Sequence, residues 1–311
     1  MGSRVLALGH YQPTRILTND DLTELVDTSD EWIRTRVGIR TRHIAGKDES
    51  VADMAAQAAE KALANSGLAA DEIDLVVVAT CTAVDRSPNT AARVALRLGI
   101  PAPAALDINT VCSGFSHALA TADHAISAGS ATRALVIGAD KLTAFTDWTD
   151  RTTCVLVGDG AGALVVVAAE QPEISPVVWG SVPDMGHAIR IQTPTNTFSQ
   201  EGQAVYRWVT TALPAVARQV CERAGITPQE LGGVVLHQAN LRIIEPLAHK
   251  IGAVNAVIAR DVVESGNTSA GSIPLAFSKI VERGEIPKGA PVLLFGFGGG
   301  LSYAGQIVRC P

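Results

Sequence analysis

The stretch DLVVVAT, Asp74–Thr80, is apolar at every position between its ends. A strand with one wet face alternates polar and apolar residues. An unbroken apolar run reads instead as a strand covered on both faces, the setting of an α/β sheet. Its surroundings agree. SVADMAAQAAEKALANSG (Ser50–Gly67) has helical periodicity and stops at Gly67. Further on come a helix over about Asn89–Leu98, a strand over Ala104–Ile108 and a helix beyond Cys112 that Gly129 stops. A strand at RALVIG (Arg133–Gly138) and the apolar run Ala161–Ala169 complete this half. Ahead of Asp74 lie a short strand near Ser3–Leu8 and the stretch TSDEW. There Thr28 and Glu31 have the spacing of a capping box, opening a helix that carries Trp32 and Arg36.

The pattern then returns. A helix over about Gln203–Ala224 leads to the strand GGVVLH, a helix from Leu241 and a short strand near Val257–Ala259. A helix from Ala270, the strand APVLLFG and a last strand Tyr303–Arg309 follow. Val77 and Val136 lie 59 residues apart, and so do Val235 and Leu294. Equal spacing between matching buried strands points to two similar α/β units packed in layers. The first occupies residues 1–170, with an insertion at about 139–160. Residues 171–202 connect it to the second, 203–311.

The chain has 311 residues, 47% hydrophobic and 18% charged, with a net charge of −6. It is long enough for two packed halves and too apolar for disorder. Its acidic balance argues against a nucleic-acid binder that relies on bulk positive charge. No apolar run reaches membrane-spanning length, and MGSRVLALGHYQPTR lacks a secretory pattern, so a cytoplasmic protein is expected. Five cysteines (Cys81, Cys112, Cys154, Cys221, Cys310) are scattered without a CxxC pair. That disfavours a zinc site or a disulfide framework, and free cysteine is commonly a buried, inert side chain.

Cys112, in DINTVCSGFSHA (107–118), stands apart by its place. Apolar residues at 115, 118, 119, 122 and 126 form a helical stripe, so Cys112 sits at or just before a helix start. Unpaired N–H groups and the positive dipole end favour a thiolate there. The same residue also suits a turn that merely needs a small side chain. VVLHQANLRII puts His237 directly after a buried strand, and VESGNTSAGSIPLA puts Asn267 in a glycine-flanked turn before a helix. Either alone is ordinary, since Asn beside Gly is a routine turn pair. Together with Cys112 they occupy three strand-to-helix turns, where α/β sheets gather their sites. A fourth turn, FGFGGGLS (Phe295–Ser302), lacks dinucleotide-binding spacing, and its glycines would let a backbone N–H approach a reacting oxygen. GDGAG (Gly158–Gly162) reads as a tight structural turn.

With these turns in view, the chain resembles the β-ketoacyl-acyl carrier protein synthase III family of thiolase-fold condensing enzymes. The resemblance runs through DEWIRTRVGIRTRH, CSGF, TDRTT, GDGAGA, GQAVYRW, HQANLRII, GNTSAGSIPLA and GFGGGLSYAG. It implies an α/β, thiolase-like layered αβαβα fold built from two pseudo-duplicated halves. It also implies a catalytic Cys112–His237–Asn267 triad and an oxyanion hole from the N–H groups of Cys112 and Gly299. An acyl-CoA would acylate Cys112. Malonyl-acyl carrier protein would then lose carbon dioxide and condense with the acyl group, initiating fatty-acid or polyketide chains. CoA would enter as a substrate thioester, with no resident cofactor and no metal.

Other positions carry over from the same resemblance. Trp32 and Arg151 would sandwich the CoA adenine and Arg36 would meet a CoA phosphate. Gly202 and Asn240 would line the pantetheine tunnel. Arg207, Arg242 and Lys250 match a basic patch for the acidic carrier protein, although solvated surface charge explains Arg207 and Lys250 as well. Leu142 and Phe297 would border the acyl pocket. A homodimer is implied, in which the loop around Arg86 and Ser87 reaches the neighbouring subunit's pocket. Ser87 stands where many members have phenylalanine, which hints at a larger or different starter group. Thr152 replaces a more usual glycine, and PDMGHAIRIQTPTNTFSQEG matches poorly, which leaves its part in the pocket open. The rival readings are a CoA-dependent acyltransferase that works without decarboxylation and a non-catalytic carrier-binding subunit. His237 together with Asn267 favours condensation, and the presence of Cys112 speaks against the second.

Overall fold

The computed structural model describes residues 2–192 and 194–311. Ten strands make two five-stranded sheets. In chain order the first sheet holds β1 (Gly2–Tyr11), β2 (Leu75–Ala79), β3 (Ala104–Ile108), β4 (Arg133–Lys141) and β5 (Asp159–Ala169). The second holds β6 (Val178–Ser181), β7 (Gly233–Leu236), β8 (Val257–Ile258), β9 (Pro291–Gly298) and β10 (Ser302–Arg309). The spatial orders are β1-β5-β4-β2-β3 and β6-β10-β9-β7-β8, the same arrangement twice. The central pairings match as well: β2 runs parallel to β3 and β4, and β7 runs parallel to β8 and β9. Antiparallel pairs complete each sheet.

The equal spacing in the sequence has a structural meaning. Val77 is the register partner of Val136, and Val235 is the register partner of Leu294. One constant offset, 158 residues, carries the first pair onto the second. The segment read as a connection differs from the expectation, because it contributes β6, the edge strand of the second sheet.

Helices separate and cover the sheets. In chain order they are α1 (Asp30–Arg36), α2 (Val51–Ser66), α3 (Thr90–Leu98), α4 (Gly114–Ser127), α5 (Gly202–Thr211), α6 (Leu213–Arg223), α7 (Leu241–Ile251) and α8 (Ser272–Glu282). Alternation along β2 sorts the layers: Val76 and Val78 face α2 and α3, whereas Val77 faces the interior. There α4 contributes Phe115, Leu119 and Ile126, and α8 contributes Ile273 and Phe277, between the two sheets. On the far side α6 and α7 cover the second sheet through Val220, Ile244 and Leu247. The result is the layered αβαβα arrangement.

Three local expectations change. The cap of α1 is Ser29, whose hydroxyl accepts the Trp32 N–H at 3.1 Å. Thr28 lies one residue too early, and its buried hydroxyl has no partner. The helix expected over 203–224 is two helices, broken at Ala212. Pro214 has no N–H to give the Thr210 carbonyl, and Lys250 Nζ donates to that oxygen instead, at 2.8 Å. GDGAG is not a turn but the start of β5. Its glycines make room, since a Cβ on Gly162 would stand 2.2 Å from Leu275 N and one on Gly158 2.2 Å from Ser265 O.

Glycines at equivalent places bring the two halves together. A Cβ on Gly138, in β4, would meet the Ala270 carbonyl oxygen at 2.2 Å. A Cβ on Gly296, in β9, would meet Ser113 Cα at 2.9 Å. Each central sheet surface therefore receives the turn of the opposite half, and the two turns converge on one site.

Candidate active site

Cys112 occupies a tight turn, Val111–Ser113, that passes directly into α4. Its counterpart, Ser269–Gly271, passes into α8. Both turns open with a non-glycine residue at positive φ, Val111 at +50° and Ser269 at +48°. Such conformations are strained, and they concentrate here where the two turns meet.

Each half also contributes an asparagine. Asn267 Oδ1 accepts the Ser269 N–H at 2.8 Å, which turns the amide nitrogen the other way. Asn109 Oδ1 accepts the Val111 N–H at 3.3 Å in the same manner. Ser269 links the nucleophile turn to Asn267, because its hydroxyl donates to Cys112 Sγ at 3.6 Å. Asp140, fully buried, braces this junction. It accepts from Thr80 Oγ1, Cys81 N–H and Thr82 Oγ1 on one side and from the Ala270 N–H on the other, all within 2.9 Å.

His237 follows β7, with its backbone N–H on Phe295 O at 2.9 Å. Its ring meets Phe297 edge-on, centroids 5.5 Å apart. His237 Nδ1 lies 2.8 Å from Ser272 Oγ, and the same oxygen accepts the Gln238 N–H. Donation of the Ser272 proton to Nδ1 corresponds to the neutral tautomer that carries its hydrogen on Nε2. Burial lowers the His237 pKa to about 3, so the ring stays neutral throughout the ordinary pH range.

Burial pushes the Cys112 thiol up to about 12. The Ser269 hydroxyl works against that burial, as do the backbone N–H groups of Gly299 and of Cys112 itself, whereas Asp140 adds to it. The glycine turn after β9 presses close: a Cβ on Gly298 would lie 2.6 Å from Cys112 Cβ, and one on Gly299 would lie 2.9 Å from Val111 Cγ2. The Ser302 hydroxyl donates to Gly299 O at 2.8 Å and fixes the turn.

A cavity of about 100 Å³ opens on Cys112, lined by Cys81, Leu142, Ile189, Ile191 and Phe198 among others. Leu142 borders it. Phe297 does not, being packed on His237 instead. Arg86 and Ser87 are exposed in a loop away from this cavity of the single chain. The poorly matched segment supplies the roof, through the hairpin Ile189–Gln192 and Thr197–Gln200. Alternating Ile189 and Ile191 with Phe198 across from them is the signal that reveals it. Ser269, Ser272, Asp140 and Cys81 were not singled out from the sequence. The first two lie within the GNTSAGS motif, two and five residues after Asn267.

The other expected positions are exposed or partly exposed. Arg151 stacks on Trp32, its guanidinium carbon 5.2 Å from the ring centroid, and donates to Asp27 O at 2.8 Å. A ring between them needs roughly 7 Å, two van der Waals contacts of about 3.5 Å each, so binding would part the pair. Arg36 is exposed at the end of α1. The Leu241 N–H donates to Val37 O at 3.0 Å, which brings that end beside Asn240. Asn240 caps α7 through its side-chain oxygen on the Ile243 N–H, at 3.1 Å. Gly202 is exposed at the start of α5, and a Cβ there would meet nothing within 4 Å. Arg207 and Arg242 are exposed, and Lys250 is held by Thr210 O. Among the described residues no group of three or more His, Cys, Asp or Glu side chains could hold a metal. Among the described residues no helix is long and apolar enough to cross a membrane.

Comparison with known proteins gives the family. The model for 3-oxoacyl-[acyl-carrier-protein (ACP)] synthase III matches residues 106–183, and that for its C-terminal part matches residues 221–310. The chain is 74% identical to β-ketoacyl-[acyl-carrier-protein] synthase III 2 of Streptomyces avermitilis, covering 100% of this chain and 99% of the relative. It is 72% identical to synthase III 4 of Streptomyces coelicolor over the same shares. A crystal structure of the priming β-ketosynthase of a polyketide biosynthetic pathway superposes with a TM-score of 0.96 at 38% identity, covering 100% of this chain and 96% of that one. The synthase III of Aquifex aeolicus gives 0.94 at 39% identity, over 99% and 100% of the two chains. The chain belongs to the 3-oxoacyl-[acyl-carrier-protein] synthase III family.

Proposed function

We propose that this protein is a condensing acyltransferase that joins an acyl group from acyl-CoA to malonyl-acyl carrier protein, starting fatty-acid or polyketide chains. The reading is supported by the hydrogen bonds that link Cys112 through Ser269 to Asn267, and by a neutral His237 held by Ser272 where the same turn enters α8. In the first half-reaction Cys112 sulfur attacks the thioester carbonyl and CoA leaves, the cysteine proton ending on the CoA sulfur. The N–H groups of Cys112 and Gly299 receive the oxyanion, a donor of this kind contributing roughly 3 kcal/mol.

In the second half-reaction the malonyl carbon–carboxylate bond breaks and carbon dioxide departs. The electron pair is held as an enolate whose oxygen accepts from His237 Nε2–H and Asn267 Nδ2–H. Both donors are neutral, so neither protonates the carbon nucleophile prematurely. The enolate carbon attacks the Cys112 thioester, and collapse expels the Cys112 thiolate. A transfer without decarboxylation needs only a base. A histidine held in its neutral, donating form beside an asparagine suits an enolate better.

Trp32, Arg151 and Arg36 would hold the CoA nucleotide, with Gly202 and Asn240 along the pantetheine path. Arg207 and Arg242, with Lys250 near them, would attract the acidic carrier protein to a net-negative enzyme. A homodimer is supported by β3, an edge strand with no fully buried residue, and by the exposed loop that carries Arg86 and Ser87. The reaction calls for no metal and no resident cofactor, and a cytoplasmic setting suits its soluble substrates. Incubation with labelled acetyl-CoA tests the reading. A stoichiometric acetyl group on the Cys112 peptide is expected, and no adduct with any short acyl-CoA sinks it.

A further inference from the structure

Ser269 lies between two thiols. Its hydroxyl stands 3.6 Å from Cys112 Sγ and 3.6 Å from Cys81 Sγ, and the residue is almost wholly buried. Its backbone N–H separately holds Asn267. The turn does not require a serine. Val111, the equivalent residue of the first half, takes nearly the same left-handed conformation and offers its N–H to Asn109 in the same way. Shared backbone geometry therefore accounts for the turn. What differs is the hydroxyl, and the hydroxyl is the part that reaches the sulfur.

We propose that Ser269 is a further catalytic residue: its O–H donates to Cys112 sulfur as charge develops there, and Cys81 S–H in turn donates to Ser269 Oγ. The proposal rests on Cys112 being the acyl nucleophile. A hydrogen bond to an ionised acceptor is stronger and shorter than one to a neutral group. The donation thus favours thiolate over thiol in a site where burial opposes the charge. Once the sulfur is acylated it carries no charge and the bond weakens. The interaction is strongest when Cys112 attacks CoA thioester and when condensation expels it again, as a catalytic contact must be. Cys81 acts through Ser269 and is a positioning residue.

Ser269→Ala removes the hydroxyl and keeps the N–H to Asn267. Alkylation of Cys112 by iodoacetamide, followed by peptide mass spectrometry across about pH 6 to 10, should shift upward by about one pH unit, a rate about tenfold lower at a given pH. Decarboxylation of malonyl-carrier protein by fully acylated protein should be retained. An equal fractional loss in alkylation and in decarboxylation is a scaffolding role and overturns the proposal. Should Ser269→Ala fail to fold, Ser269→Gly lacks the hydroxyl and relaxes the positive φ, so it reads the same effect. Cys81→Ala should give a smaller displacement in the same direction, and Cys81→Ser should restore the wild-type profile. An unmoved profile in Cys81→Ala overturns the part given to Cys81. Acetyl-CoA labelling of the unaltered protein separates the failures. Labelled Cys112 with an unmoved Ser269→Ala profile removes only the hydroxyl's role, whereas unlabelled Cys112 removes the nucleophile reading itself.

Discussion

A Cβ on Gly298 would stand 2.6 Å from the Cβ of Cys112. The backbone of β9 reaches the nucleophile only because nothing projects from that residue. Gly298→Ala should therefore displace the turn that carries the Gly299 N–H. Overpacking of this kind costs about 1–3 kcal/mol of stability, and a lost oxyanion donor lowers the rate by about a hundredfold or more. Thermal unfolding and the rate of Cys112 acylation check the two parts. Acylation at the wild-type rate would show that the turn has no part in the oxyanion hole.

Asn267→Ala should leave acylation of Cys112 intact and abolish malonyl-dependent product. Ser272→Ala should act on the same half-reaction more mildly. It frees Nδ1 of His237 and lets the donating tautomer slip, a loss of about tenfold for one neutral hydrogen bond of about 1 kcal/mol or slightly more. Single-turnover assays of each half-reaction distinguish the two steps. Unchanged β-ketoacyl product in Asn267→Ala removes the enolate role.

The two half-reactions should differ in pH dependence. His237, with its pKa at about 3, remains a neutral donor from weak acid upward, so decarboxylation should be flat between about pH 5.5 and 8.5. Cys112, pushed up to about 12, should acylate faster as pH rises through the same window. The stability consequence has a definite sign. His237 binds its proton less readily folded than unfolded, so its contribution is lost as pH falls below about 6.5 toward 3. His10, lowered to about 4 first by burial, adds to that loss. Buried Asp140 and Asp159 have raised values and work the other way, their ionisation opposing the fold above the ordinary carboxylate range. Pre-steady-state acylation and decarboxylation rates across this range test the kinetic expectation, and a flat acylation profile contradicts it.

The roof of the cavity should govern the starter group. Its volume of about 100 Å³ is small, which favours short acyl chains. Phe198→Ala should move the acyl-CoA profile toward longer chains. Ser87→Phe lies outside the single chain's cavity, so it narrows the profile only if a partner subunit inserts the loop. An acyl-CoA panel, read beside the mass in solution, tests both. A monomer whose profile responds to Ser87→Phe would contradict the dimer explanation.

Much of this was legible in the sequence, for identifiable reasons. Val76, Val77 and Val78 face apolar layers on both sides, so the composition of β2 announces its place. The 59-residue spacing is a register relation repeated in both sheets. Cys112 and His237 stand out in the sequence because each follows a recognisable strand, and Asn267 because it sits in a glycine-flanked turn before a helix. Contacts between distant segments were not. Nothing local tells that Gly162 opens a strand for α8 to pack against, or that Lys250 satisfies a carbonyl left by Pro214. Thr28 and Ser29 offer the same chemistry one residue apart, and only the folded helix start shows which of them caps it. Ser269 reads as a turn residue until the nucleophile from the other half is placed beside it.

The central claim is that Cys112 carries the acyl group and that His237 and Asn267 release it into a new carbon–carbon bond. Its most direct test is a two-stage mass measurement on the purified protein. Acetyl-CoA should place one acetyl group on the Cys112 peptide, and malonyl-carrier protein should then discharge it with one carbon dioxide per acetyl group and acetoacetyl-carrier protein as product. Discharge without carbon dioxide, or an acetyl group held on another residue, would contradict the account.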